Sequence, residues 1–195
     1  MVPSEPGFEA IVNNEAVLAL DVRMSPEATE PIERRFVNAL LIGIEDGTGV
    51  VKVEAEGGAH FVPVARGRVE WLGDGRLTAR QGHGAFGRAV LVEVRNLPVP
   101  EGVTRTFGDR TLLSRDDVCV YEEIIGPAQT RLMHNHGPRL VTCLTDLHTR
   151  NSQPGNEKVE VRRPSGTVVW NPKPVTHEVT NAGEGPFWCV LVEHP

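Results

Sequence analysis

The sequence predicts an all-β protein made of two tandem β-barrels. Three observations carry that prediction. Apolar runs are short and rich in Val, Gly and Pro turn signals separate them, and the chain repeats itself at about half its 195 residues. Many short strands at regular spacing with Gly/Pro turns are the signature of a sandwich or barrel.

The strand-like runs follow in order. They are AVLALDV at 16–22, FVNALLIGI at 36–44, GVVKVEA at 49–55 and AVLVEV at 89–94 in the first half. In the second half they are VCVYEEII at 118–125, RLVTCL at 139–144, KVEVRR at 158–163, TVVW at 167–170 and FWCVLVE at 187–193. Between Met24 and Leu41, Pro26 and Pro31 restrict any helix to a short one. The repeat matches Val17 with Val118, Pro26 with Pro127 and Thr29 with Thr130 at an offset of 101. Trp71 then matches Trp170 at 99, and the Leu91–Glu93 run matches Leu191–Glu193 at 100. Several matches in order at a nearly constant offset imply a duplicated unit. We therefore expect one barrel over residues 1–105 and a second over 106–195, joined inside the segment Asn96–Arg115.

Composition excludes several function classes. The formal charge is −6, which opposes a nucleic-acid binder. No apolar run approaches the length of about 18 residues that spans a membrane. The first ten residues lack a basic and apolar leader. Cys119, Cys143 and Cys189 are an odd, widely spaced set, which fits reduced thiols on strands and a cytoplasmic location.

The chemistry-bearing residues lie in the second half. His134 and His136 are two apart, so on a strand both rings project from one face. His177 follows after a proline-marked turn. Three neutral imidazoles converging inside a barrel suit a borderline divalent ion. At the repeat offsets, Glu33, Arg35 and Thr78 stand opposite these positions, so the first barrel is expected to hold no metal. His60, His83, His148 and His194 read as loop or surface histidines. Leu140 and Thr142 share parity with His136 and would line the cavity if no bulge intervenes, although Gly137-Pro138 invites one. Arg139 faces either a substrate anion or the rim. Trp170 and Phe187 read as core, and Glu178 points away from the ligand face. Tyr121, the only tyrosine, lies upstream of the ligand strand.

The spacing of these residues resembles the two motifs of the cupin superfamily. The second motif, G-x5-P-x-G-x2-H-x3-N, is matched by Gly166, Pro172, His177 and Asn181, with Pro174 in place of the second Gly. The first motif is matched by His134 and His136, but Arg139, Leu140 and Val141 occupy the positions where its glutamate would fall. The resemblance implies two jelly-roll barrels, a bicupin arrangement with metal in the C-terminal barrel alone. It also implies one divalent transition metal held by His134, His136 and His177. A three-His set resembles that of non-haem Fe(II) dioxygenases, which act on a small anionic, chelating substrate. Fe(II) is therefore favoured over Zn, Ni or Mn. The alternatives are a non-redox metal isomerase or lyase and a non-catalytic small-molecule binder. No nucleic-acid or membrane partner is expected, and a homodimer is allowed.

Overall fold

The computed structural model describes residues 6–24, 30–80, 87–99 and 108–195. It divides into two compact units, residues 1–96 and 97–195, and every described element is a β-strand. His83 and residues 100–107 of the expected inter-barrel segment lie outside the described residues. Among the described residues, no helix is long and apolar enough to cross a membrane.

The first unit holds β1 (Phe8–Asn13), β2 (Val17–Val22), β3 (Ile32–Glu45), β4 (Val50–Ala55), β5 (Gly58–Pro63), β6 (Val69–Arg80) and β7 (Arg88–Val94). They form one antiparallel sheet in the order β1-β2-β7-β3-β6-β4-β5. The sheet encloses a core that includes Leu18, Leu20, Val22, Phe36, Val51, Val53, Leu77 and Leu91. The alternating apolar residues of each strand supply that inner face.

The second unit holds β8 (Arg110–Ser114), β9 (Cys119–Ile125), β10 (Thr130–His136), β11 (Arg139–Cys143), β12 (Leu147–Ser152), β13 (Val159–Arg163), β14 (Val168–Asn171), β15 (Val175–Asn181) and β16 (Phe187–Glu193). These make a five-stranded sheet, β14-β11-β16-β9-β8, and a four-stranded sheet, β10-β15-β12-β13. Its core includes Tyr121, Ile125, Val141, Cys143, Val179, Phe187 and Leu191.

The two ladders correspond strand for strand. Leu20 pairs with Leu91 as Tyr121 pairs with Leu191. Leu41 pairs with Leu91 as Val141 pairs with Leu191. The long β3 covers the positions of β10 and β11, and the long β6 covers those of β14 and β15. In the first unit both long strands bend where a residue takes positive φ, Asn38 at 48° and Gly73 at 68°. At the same places the second unit carries Gly137-Pro138 and Pro172-Lys173-Pro174, and each strand is cut in two. A proline cannot donate to a ladder, so the bend becomes a break.

The break reverses the side-chain parity expected from His136. Arg139, Val141 and Cys189 line the interior cavity, whereas Leu140 and Thr142 do not. Leu140 and Thr142 are fully buried, but on the opposite face of β11. The expectation that they line the cavity is thus corrected. The bend at Gly137-Pro138 takes up the odd residue, so Arg139 carries the inward phase.

A second correction concerns the first unit. His134 pairs with His177, and the inward pair at that place in the first unit is Arg34 with Leu77, at an offset of 100 (134 − 34, 177 − 77). His136 likewise corresponds to Phe36 (136 − 36), since it pairs with Val175 as Phe36 pairs with Gly75. Glu33 and Arg35 occupy the outward phase, and Glu33 meets Arg76 at 3.3 Å on the exposed side. The offsets of 101 and 99 each miss the phase by one residue. The corrected positions still carry no imidazole.

Candidate metal centre

Two paired strands bring the candidate ligands together. His134 and His136 come from β10 and His177 from its partner β15, directly across from His134. One ring nitrogen of each lies within 4.8 Å of the others. Ring centroids are 4.6 Å apart for His134 and His177, 4.8 Å for His134 and His136, and 5.3 Å for His136 and His177. The local sequence explains the convergence. His-x-His aims two rings inward, and the β10–β15 ladder delivers the third.

A backbone carbonyl sets the tautomer of His134, and a chain of side-chain hydrogen bonds sets that of His136. His134 Nδ1 lies 2.7 Å from the carbonyl of Leu132, to which it donates. Tyr121 donates its hydroxyl proton to Glu193, so its oxygen accepts from His136 Nδ1 at 2.9 Å. Each of these rings then presents an unprotonated Nε2. Glu193 is held in turn by the Gly137 amide at 2.9 Å. Carboxylate or carbonyl partners that fix a ligating histidine in this way orient the ring and raise its basicity.

The sequence reading missed Glu123. It sits on β9 opposite Cys189 and points its Oε1 at 3.4 Å from His134 Nε2 and 3.7 Å from His136 Nε2. Arg131 Nε steadies the same oxygen at 3.3 Å. The motif glutamate expected after His136 is absent from β11, and a carboxylate from another strand stands in the cavity instead. Its signal in the sequence was parity alone. Cys119, Tyr121, Glu123 and Ile125 alternate on one face, and a Glu in an otherwise inward set is unusual.

The donor atoms fit a metal ion. The Nε2 atoms of His134, His136 and His177 and the Oε1 of Glu123 are all buried without a hydrogen-bond partner. Unpaired buried polar atoms are costly, and the three convergent imidazole nitrogens, with the Glu123 carboxylate beside two of them, are satisfied together by a cation. Electrostatics keep the His177 and His136 imidazoles neutral. Burial, then the neighbouring His134, His136 and Arg139, hold His177 down to about 3. Burial also lowers His136. Burial opposes the charge of Glu123, but His134, His136 and Arg131 more than offset it, and the carboxyl sits below its ordinary range.

The centre opens on a cavity of about 710 Å³. Val141, Leu147, Val161, Val179, Phe187 and Leu191 give it apolar walls, and Arg139 is its buried cation. Phe187 therefore serves both core and cavity. Cys189 also lines it, with its thiol raised by burial, while Trp170 does not. His148 meets Glu160 at 3.5 Å away from the centre, and His60 is exposed, so both stand apart from the centre. Asn181, the last residue of the second motif, has a structural task. Its amide donates to the carbonyls of Ile125 at 2.8 Å and Gly185 at 2.9 Å, tying β15 to the end of β9.

No family model matches the chain, and no curated protein does. Solved structures do. Oxalate decarboxylase of Bacillus subtilis, studied for its Mn(II) centres, aligns with a TM-score of 0.61 at 12% identity, over 92% of this chain and 69% of its own. A structure of the same decarboxylase at pH 4.6 aligns at 0.61 and 13% identity, over 92% of this chain and 68% of its own. A cupin domain of Bordetella pertussis Tohama I aligns over 48% of this chain and 99% of its own, at 22% identity and a TM-score of 0.42. The likeness to the decarboxylase is one of fold. This chain is all-β and has the jelly-roll fold of the cupins.

Proposed function

We infer that the C-terminal unit is a metal-dependent enzyme acting on a small organic anion, and that the chain is a bicupin whose N-terminal unit carries no metal. The observation that carries this reading is the set of three convergent imidazole nitrogens without a hydrogen-bond partner, with the Glu123 carboxylate beside two of them, next to a largely apolar cavity that Glu123, His136 and His177 line. A divalent transition metal held there supplies Lewis-acid or redox chemistry to a bound anion. The chain's own groups do the rest. His134, His136 and His177 would hold the ion with neutral nitrogens, and with Glu123 as the single anionic group beside them a net positive charge would remain to favour an anionic, chelating substrate. Tyr121 and Glu193 keep the His136 ring in place. Val141, Leu147 and Phe187 exclude water from one wall of the cavity.

The three-His set supports an oxygenase, with Fe(II) as its metal. Glu123 supports a second reading, a non-redox isomerase or lyase with Mn, Ni or Zn, because three imidazoles with a carboxylate beside them suit an ion acting as a Lewis acid. Metal analysis of the purified protein tests the common ground, and one divalent ion per chain is expected. Oxygen uptake by the Fe(II)-loaded protein with β-diketones, thiols and hydroxybenzoates separates the two readings. Uptake matched to product supports the oxygenase. Turnover that persists without oxygen supports the non-redox reading. A protein that takes up no divalent ion overturns both.

A further inference from the structure

The cavity holds a cation that the metal centre does not use. Arg139 is buried, with 7% of its surface exposed, and it lines the same cavity as Glu123, His136 and His177. One of its terminal nitrogens donates to the carbonyl of Gly137 at 3.2 Å, and its Nε is buried without a partner. The nearby carboxylates are committed elsewhere. Glu193 takes the Tyr121 hydroxyl on one oxygen and the Gly137 amide on the other. Glu123 faces the His134 and His136 nitrogens and Arg131. A buried guanidinium with its Nε donor unspent is costly unless an anion completes it. Its planar fork is matched by a carboxylate.

The rest of the cavity describes what carries that carboxylate. Val141, Leu147, Val161, Val179, Phe187 and Leu191 offer apolar contact, and about 710 Å³ is far more than a two-carbon acid fills. The other cations on the lining are placed differently. Arg163 is half-buried and interacts with Cys143, and Lys173 is exposed in the Pro172–Pro174 turn. We propose that Arg139 is a specificity-determining residue that anchors the carboxylate of an organic acid whose branched or aromatic body fills this cavity. The proposal rests on the reading of the same cavity as a substrate site beside a metal centre.

Direct binding tests it, without turnover. Calorimetry on the full chain, metal-free and Zn(II)-loaded, compares 4-methylpentanoate with 4-methylpentanamide, which have the same body and differ in charge. The acid is expected to bind the metal-free protein roughly ten- to a hundredfold tighter than the amide. Arg139→Gln should bring the acid down to the amide's affinity and leave the amide and the Zn(II) content unchanged. Arg139→Lys should restore part of the difference, while Arg163→Gln and Lys173→Gln keep it. Equal binding of acid and amide by the native protein overturns the proposal, and that comparison needs no variant to fold. So does a native protein that binds no acid up to about 10 mM, and so does a preference lost in Arg163→Gln or Lys173→Gln but kept in Arg139→Gln. Normal Zn(II) loading alongside any of these leaves the metal reading standing. Failed Zn(II) loading with an intact acid preference removes that reading and keeps the anchor.

Discussion

In the C-terminal unit, Tyr121, Glu123, His134, His136, His177 and Glu193 share the inward phase of their strands. At the same ladder positions the N-terminal unit carries Leu20, Val22, Arg34, Phe36, Leu77 and Glu93. Five of the six differ, and four of those five exchange a polar group for an apolar one or the reverse. The remaining exchange puts Arg34 where His134 stands. That arginine lies 6.0 Å over the Phe8 ring and 3.8 Å from Glu93. The first unit thus fills its barrel with Leu20, Phe36 and Leu77, while the second leaves the space open and lines it with donors. The comparison teaches that the ladder supplies positions, and that a handful of inward side chains decide between a packed core and a binding site.

The largest effect should come from the ligands. His177→Ala is expected to lower metal content from one ion per chain to near none, as read by atomic emission, and to leave the strand content unchanged by circular dichroism. Leu77→Ala, at the matching place, should leave metal content alone and destabilise the first unit by about 2–5 kcal/mol through the void it opens. A His177→Ala protein that unfolds would show that the second barrel depends on its metal as the first cannot.

Glu123→Gln comes next. It keeps the volume and removes the charge, and metal affinity should fall by roughly ten- to a hundredfold, the range seen when a supporting or ligating carboxylate is lost. Unchanged affinity in competition with a chelator would leave three imidazoles as the whole donor set. Tyr121→Phe should be somewhat milder for the metal. It strands His136 Nδ1 and Glu193, at a cost of about 1–3 kcal/mol in chemical denaturation. At the matching position, Leu20 has no hydroxyl to lose.

The pH response should separate the units in a smaller but distinctive way. His177 and His136 are depressed in the folded state, so an unfolded chain binds more protons than the folded one below the ordinary histidine value of about 6.5. Their contribution is therefore present above that pH and is lost as the pH falls from about 6.5 toward the His177 value of about 3. The lowered carboxyls of Glu123 and Glu193 act in the same direction at the acid end. Among the described residues, the N-terminal unit has no buried histidine, so its stability should stay nearly flat over the upper part of that range. Hydrogen exchange read separately in each unit would decide this, and equal slopes would contradict the comparison.

Much of the site was legible in the sequence because its key residues stand at fixed local spacings. His-x-His and the stretch from Gly166 to Asn181 lie on single strands and their turn, where alternation fixes direction. Legibility failed where direction depended on distant geometry. Leu140 and Thr142 were placed in the cavity by carrying parity across Gly137-Pro138, and the bend there takes up one residue. Glu33 and Thr78 were matched to ligands by offsets one residue off, because insertions between strands can be counted in a sequence but not located. Glu123 was invisible as a donor since it reaches the centre from β9, which lies across the barrel from β10 with no spacing rule linking them. The fold was the easier part, since short Val-rich strands and a duplicated ladder leave few architectures.

One small irregularity ties these threads together. Between Arg131 and His134, β10 carries three steps against two on β15, a β-bulge absent from the matching stretch Ile32–Phe36. The extra residue lets Arg131 and His134 face the same way, so one strand presents both the guanidinium that steadies Glu123 and the first imidazole. It also frees the Leu132 carbonyl for the His134 ring, at the cost of pushing Leu132 and Met133 into solvent. The site therefore tolerates substitution at these two positions far better than it tolerates loss of one of them. Deleting either residue would keep the composition of the pocket almost intact and still turn Arg131 away from Glu123, so length, rather than chemistry, is the quantity under constraint along this edge.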